Sequence, residues 1–446
     1  MKNKQVEISK NKDSVKKSTA TYSKNWLQRL KDESWEAELL VSAIAIFGAS
    51  QLFKIIDWST NMLIDLLPPN QYLIAYFIVF FGLFAISILV SMFVIHFVLR
   101  AYWVGLVGLN SVFPDYSVEN SAYSKIYTEK IISILPKLKD SIKKVDELCS
   151  VIFSVAFALL FVYLYMAIFS SLYLGLFNLL SSFVHSYILL IPAVLIILML
   201  LVQLIFGIIA NMKKFKENEK VQNWLFKIVK ISSVFSLGPL YKSIMQTTMI
   251  FGSNFKKKKA MIYLLITFIF SGIIVTTYQV SNTNILYLIL KGKDISFDQT
   301  KIYPGYYKID NENVAYLLTP EIASDMIKDN ILKVFIPIFK HEKKMSKNIC
   351  SAYAEDTNKS KNEQRNERRL YDLNCYQTYN QVYLNDKKVA SDFIKYNHPK
   401  TNQFGVLCYL KLTDALDGKN TITVKKVYGN ENDTEWTIPF QYISKQ

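Results

Sequence analysis

The chain has 446 residues, with 52 Lys and Arg against 36 Asp and Glu and a formal net charge of +16. Apolar residues make up 51 % of it and charged residues 20 %, with 14 Gly, 11 Pro and 4 Cys. These proportions exclude a collagen-like, low-complexity or wholly disordered chain, and also a small disulfide scaffold. Where the apolar residues lie then separates a membrane protein from a large soluble one.

Residues 1–37 are polar, carry nine Lys or Arg, and read as a basic cytoplasmic N-terminus. No short apolar core follows a charged start, so a cleavable signal peptide is not expected. A membrane-crossing helix needs about 20 apolar residues. The first such run is 38–56, which acts as its own insertion signal, and the second is 71–97. The stretch 148–212 holds no Asp, Glu, Lys or Arg. Soluble helices keep a polar face, so this stretch reads as two spans, 150–176 and 187–210, around a turn near Asn178–Ser186. A fifth span is 260–280. The segment 231–251 is interrupted by Gly238-Pro239, carries Lys242, and reads as an interfacial or cytoplasmic helical segment.

Lys and Arg of short loops stay on the cytoplasmic side. The loops 57–70 and 177–186 carry none, 98–149 carries seven, and 211–259 carries eleven. Five spans with the N-terminus inside and the C-terminal domain outside satisfy this pattern, in a bacterial plasma (inner) membrane. The basic excess then faces anionic lipid, and nucleic acid is not an expected partner.

Both cytoplasmic loops read as helical. Ile131, Leu135, Leu138, Ile142, Val145 and Cys149 form a heptad seam, with Pro136 starting or kinking the helix. Val221, Leu225, Ile228 and Ile231 form a second amphipathic face. Each reads as an extension of a span, packed within the chain or at a subunit interface. Ser42, Ala45 and Ala49, with Gly48 beside them, make a small-residue face on the first span. The segment after Arg100 contains Gly105 and Gly108 and reads as soft, lying along the interface.

Residues 281–446 form a domain without a span. Short runs at 333–339, 381–384, 405–412, 421–427 and 436–443 read as strands, separated by turns such as Asn385-Asp386 and Gly429–Asp433. They predict a mainly-β extracytoplasmic domain, an antiparallel sandwich. Residues 320–329 read as a helix, and 343–369 as a solvated loop with helical character near its Arg-rich end. The segment 411–426, KLTDALDGKNTITVKK, resembles the last hairpin of an immunoglobulin-like or carbohydrate-module-like sandwich. That resemblance covers this segment alone and implies no functional residue. In an oxidising compartment Cys350 and Cys375 are the candidate disulfide.

The chemistry-bearing residues are few. Four His are scattered, and the sequence has no CxxC, HExxH, GxSxG or Gly-rich phosphate loop. No catalytic residue, metal ligand or cofactor is assigned. Ionisable residues at the ends of apolar runs are the exception, because charge near lipid is costly. Glu36 and Glu38 open the first span, and His96 and Arg100 close the second. They form a candidate polar cluster at the cytoplasmic boundary, either a structural ion pair or part of an ion path. The resulting expectation is an α-helical polytopic membrane protein of about five spans with an extracytoplasmic β domain. Its role is non-enzymatic sensing or scaffolding, with lipid and an envelope protein or glycan as partners. The alternatives are a homo-oligomeric channel or transporter, and a membrane-bound enzyme acting on lipid or glycan.

Overall fold

The computed structural model describes residues 35–113, 115–180, 183–254, 258–290, 303–308, 315–346, 349–350, 353–354, 359–389, 392–413, 415–429 and 433–443. The basic stretch 1–34 lies outside the described residues, as do parts of the 256–259 lysine run, the 343–369 segment and the 429–433 turn. The chain divides into two compact units. One holds residues 1–54 and 81–279, and the other residues 55–80 and 280–446.

The first unit is helical. Its elements are α1 (Trp35–Leu66) and α2 (Tyr72–Val112), whose facing ends belong to the second unit, then α3 (Lys125–Ile134) and α4 (Leu138–Leu180). They are followed by α5 (Ser186–Asn211), α6 (Glu219–Leu237), α7 (Tyr241–Asn254) and α8 (Lys258–Val280). Among the described residues, five helical stretches are long and apolar enough to cross a membrane: 35–66, 69–112, 125–177, 188–211 and 263–280. Each contains most or all of one predicted span.

Local chemistry explains the breaks. Leu135, the residue before Pro136, is held extended at φ −89° and ψ 141°, and α3 ends there. Beyond the proline, α4 runs for 43 residues, carrying the predicted seam and the span in one helix. On the seam Cys149 is buried, Leu138, Ile142 and Val145 are half-buried, and Leu135 is exposed. The segment after Arg100, with Gly105 and Gly108, is helical and continues α2 to Val112. The second amphipathic face does not extend α5. The chain turns at 212–217, where Gln222 Nε2 donates to the carbonyls of Ala210, Phe215 and Lys216 at 2.9, 3.3 and 3.2 Å. On α6, Ser232 and Ser233 are buried and Ile231 points outward.

The core of this unit joins α1, α2, α4 and α8 through Ala49, Leu89, Met92, Phe93, Ile152, Ala156 and Phe268. Ala45 packs at its margin, so the small-residue face of α1 is an internal packing face. Gly48 has open space where a side chain would stand. Gly272 lets α8 approach α2, since a methyl there would lie 2.5 Å from the Ile88 side chain.

The second unit contains the ends of α1 and α2, a short helix α9 (Tyr287–Leu290), and the C-terminal β-sheet region. Its strands are β1 (Glu321–Ile322), β2 (Met326–Ile327), β3 (Ile331–Pro337), β4 (Asn380–Leu384), β5 (Lys387–Lys388), β6 (Phe393–Asn397), β7 (Phe404–Lys411), β8 (Gly418–Lys426) and β9 (Thr434–Tyr442). One sheet has the order β1-β3-β7-β6 and the other β2-β9-β8-β4-β5. All pairs are antiparallel except β2 with β9. Alternating residues of both sheets, such as Val334, Val406, Leu410, Ile422, Val424 and Ile438, enter one hydrophobic cluster.

Two sequence readings change here. Residues 320–329 are two short strands, because Ile322 pairs with Val334 while Ile327 pairs with Tyr442, and both are buried. The segment 411–426 is not a hairpin: β7 and β8 belong to different sheets, and the chain between them crosses from one to the other. The helical character expected at the Arg-rich end of 343–369 is α11 (Lys361–Tyr379), which follows the one-turn α10 (Glu342–Met345). Ser360 and Glu363 form a reciprocal capping box at its start. Leu373 and Tyr376 pack α11 on the hydrophobic cluster. Cys350 and Cys375 form a disulfide across a separation of 25 residues, with Cα atoms 5.8 Å apart.

Candidate functional site

The residues singled out at the ends of the apolar runs are placed as follows. Glu36 is exposed. Glu38, His96 and Arg100 come together in the first unit, and Asp146 of α4 joins them. Arg100 is 1 % exposed. Its Nη2 lies 3.0 Å from Glu38 Oε2, its Nη1 lies 2.6 Å from Asp146 Oδ1, and its Cζ stands 4.5 Å above the Trp103 ring. One planar guanidinium thus ties α1, α2 and α4 together, a geometry that an ammonium cannot reproduce. His96 Nε2 is 3.9 Å from Glu38 Oε2, while its Nδ1 is 2.6 Å from Ser42 Oγ.

Ser42, His96 and Glu38 have the residue types of a nucleophile relay. Ser42 and His96 are both fully buried, so in this arrangement no substrate carbonyl reaches the hydroxyl. Arg100 Nε and Trp103 Nε1 are buried donors without a hydrogen-bond partner among the described residues. Asp146 and Ser42 were not among the residues flagged from sequence. Asp146 sits in a helix already rich in charge, and Ser42 read as a packing residue.

A second polar cluster lies in the other unit. Lys426, at the end of β8, is buried and its Nζ lies 2.6 Å from Glu342 Oε1 and 2.6 Å from the Pro337 carbonyl. The Phe339 N–H donates to Glu342 Oε1 at 3.0 Å, and the Tyr379 hydroxyl donates to Oε2 at 3.2 Å. Burial holds the Lys426 ammonium below its usual range, with Glu342 pulling the other way. Burial and then the Glu342 charge push the Tyr379 phenol well up, so it stays a donor.

Next to Glu342, the strand-to-helix corner binds the end of α1. Lys340 N–H donates to Asp65 Oδ1 at 3.0 Å, and His341 N–H donates to the Asp65 carbonyl at 3.0 Å. His341 Nδ1 lies 3.1 Å from the Ile64 carbonyl and 3.2 Å from that of Asp65. The ring stacks on Phe339 and meets Tyr72 edge-on. Asn284 Nδ2 donates to Asn61 Oδ1 at 2.8 Å. The α1–α2 turn is therefore hydrogen-bonded into the β-bearing unit.

The outward faces of the two sheets differ. On β3, β7 and β6 the exposed residues include Ile331, Lys333, Ile394, Tyr396 and Tyr409, with Lys333 opposite Tyr409 in register. On β8 and β9 the outward positions are Lys419, Thr421, Lys425, Glu435, Thr437 and Gln441, with Lys425 and Glu435 paired at 2.9 Å. One face is aliphatic and aromatic, and the other is polar.

Among the described residues, no group of three His, Cys, Asp or Glu is placed to hold a metal ion. No protein-family model, curated protein or solved structure matches the chain.

Proposed function

We propose that the protein is a multi-pass protein of a bacterial plasma (inner) membrane whose C-terminal region is an extracytoplasmic sandwich that docks an envelope protein or glycan. The N-terminus and the Lys-rich loops face the cytoplasm. The observation that carries the docking role is the contrast between the two sheets. An outward face bearing Ile331, Ile394, Tyr396 and Tyr409 has the aromatic and aliphatic composition of an interface core, whereas the polar face opposite has that of ordinary surface. Hydrogen bonds from Lys340 and His341 to Asp65 support mechanical coupling, because they join the docking domain to the end of α1. The Glu38–Arg100–Asp146 group closes within one chain, which supports a helix-fastening role over an ion path.

Two measurements test this reading. A compartment-dependent reporter after Gln446 should read outside, and one inserted at 212–218 should read inside. A photo-crosslinking residue at Tyr409 should give a discrete adduct in cells, and one at Thr437 should not. Equal labelling at both positions, or none at either, removes the docking role. A C-terminus that reads inside removes the orientation.

A further inference from the structure

We propose that α6 and α7 form a re-entrant hairpin, which enters the bilayer from the cytoplasmic side, turns at Gly238-Pro239 near mid-depth and returns to the same side, so that its outward face is covered by the acyl chains of the cytoplasmic leaflet. The proposal rests on the membrane reading above.

The depth comes from Tyr165. Gly238 is packed so closely on it that a methyl group at Gly238 would overlap the Tyr165 hydroxyl and ring. Tyr165 lies well inside α4, about 27 Å of helix beyond Glu147, the last charged residue before the charge-free stretch. The other helical arm agrees. Tyr173 donates to the Leu189 carbonyl at 2.5 Å and fixes the α4–α5 register close to their turn. Tyr165 is about 12 Å of helix farther from that turn. The apex of the hairpin therefore lies beside the middle of two helices that read as spans. Gln222 holds the other end of α6 against the last turn of α5. The 19 residues of α6 cover about 28 Å of rise, enough to connect the two levels at a tilt.

The residue types along α6 follow the same depth profile. Glu219, Lys220, Lys227 and Lys230 occupy its first two-thirds, and from Ile231 to Ile250 only Lys242 is charged. Trp224, with Lys227 Nζ 5.8 Å from its ring, has the composition of an interfacial anchor. Deeper, Ile231, Val234 and Phe235 are exposed, Phe235 at 64 %. In water such a face is a liability, whereas acyl chains cover it without cost. The lysines at the entrance match anionic headgroups. Lys242, close after the apex, has a stem long enough to carry its charge back toward the interface.

The backbone of the turn is also suited to lipid depth, where unmet donors are costly. Gly238 N–H donates to the Val234 carbonyl, Pro239 has no N–H, and the Tyr241 N–H donates to the Gly238 carbonyl. The hydroxyls of Ser236, Thr247 and Thr248 return to carbonyls of their own helices. A hairpin of this kind keeps the charge-derived orientation, since both of its ends stay on the Lys-rich side.

The test uses the full chain in vesicles, with Cys149→Ala and Cys408→Ala as background and the Cys350–Cys375 bridge intact. Single cysteines replace Lys216, Trp224, Phe235 and Met249, with Phe161 and Leu198 as span controls; all six side chains are exposed, so their replacement spares the core. Each is labelled with a fluorophore and quenched by lipids carrying a nitroxide at headgroup, shallow or mid-chain positions. Expected is mid-chain quenching at 235, as at 161 and 198, shallow quenching at 224, and reaction of the 216 cysteine with an impermeant maleimide from the cytoplasmic side only. If 235 is quenched no more than 216 while the controls are quenched, the hairpin is a surface layer and the proposal fails. If 249 reacts from the extracytoplasmic side, the segment is a sixth crossing and the proposal fails. If 161 and 198 are also unquenched, the membrane reading itself fails.

Discussion

Lys426 and Glu342 are 84 residues apart in sequence and 2.6 Å apart in space, with side chains 3 % and 1 % exposed. Lys426 occupies an inward position of β8, in line with Ile422 and Val424, where the strand alternation calls for an apolar residue. Its stem lies in the core while its ammonium reaches Glu342, the Pro337 carbonyl and the faces of Phe339 and Trp436. Both charges are desolvated, so the pair holds only while both partners and their hydrogen bonds are present.

Removing one partner should therefore cost more than removing both. Lys426→Met leaves the Glu342 carboxylate buried without its cation and should lower stability by about 3 to 5 kcal/mol. The double variant Lys426→Met with Glu342→Gln should be less destabilised than Lys426→Met alone. Thermal unfolding of the full chain in detergent, run as a double-mutant cycle, checks the order.

His341 predicts a pH dependence. Its burial depresses the ring's pKa below the ordinary 6.5, with Lys426 acting in the same direction and Glu342 and the Ile64 and Asp65 carbonyls opposing. The folded chain therefore refuses a proton that the unfolded chain accepts. Stability should be complete above pH 6.5 and decline as pH falls below it, levelling off once the folded-state pKa is passed. His341→Asn should remove part of this slope. Unfolding temperatures of both proteins between neutral and mildly acidic pH provide the comparison.

Arg100 should not tolerate lysine. Arg100→Leu removes the guanidinium that joins Glu38 to Asp146 and should cost about 3 kcal/mol or more. Arg100→Lys keeps the charge but not the planar fork that reaches both carboxylates and lies on Trp103, so its stability should fall between those of the wild type and Arg100→Leu. Equal stability of wild type and Arg100→Lys would show that charge alone matters.

Gly238 combines φ +50° with its contact to Tyr165. Gly238→Ala should cost about 1 to 3 kcal/mol from backbone conformation alone, with the overlap added. Tyr165→Ala in the same chain relieves the overlap but not the dihedral, so rescue should be partial. Full rescue would show that the backbone conformation contributes little.

The Cys350–Cys375 bridge spans 25 residues, and its loss through the double alanine variant should lower stability by about 3.5 kcal/mol on the chain-entropy estimate. Wild-type protein unfolded under reducing conditions should match the variant.

Much of the helical unit was legible because apolar run length is a local property. The runs at 38–56, 71–97, 150–176 and 187–210 each lie inside a helix long enough to cross a membrane. The Asn385-Asp386 turn was equally local: both residues adopt positive φ, 46° and 66°, which Asn and Asp tolerate. Glu38, His96 and Arg100 stood out because charge at the edge of an apolar run is rare. Asp146 did not, since which face of α4 meets Arg100 depends on how three helices pack.

The sequence by itself thus determined where the long apolar helices form and where turns such as Asn385-Asp386 fall. The tertiary structure decided what no short window encodes. It placed β7 and β8 in different sheets, turned residues 320–329 into two strands, and folded α6 back along α5 with its apex on Tyr165. It also set Lys426 against Glu342. Helix length and turn conformation come from neighbours a few residues away, whereas these pairings depend on burying distant segments together, and only the assembled core selects among them.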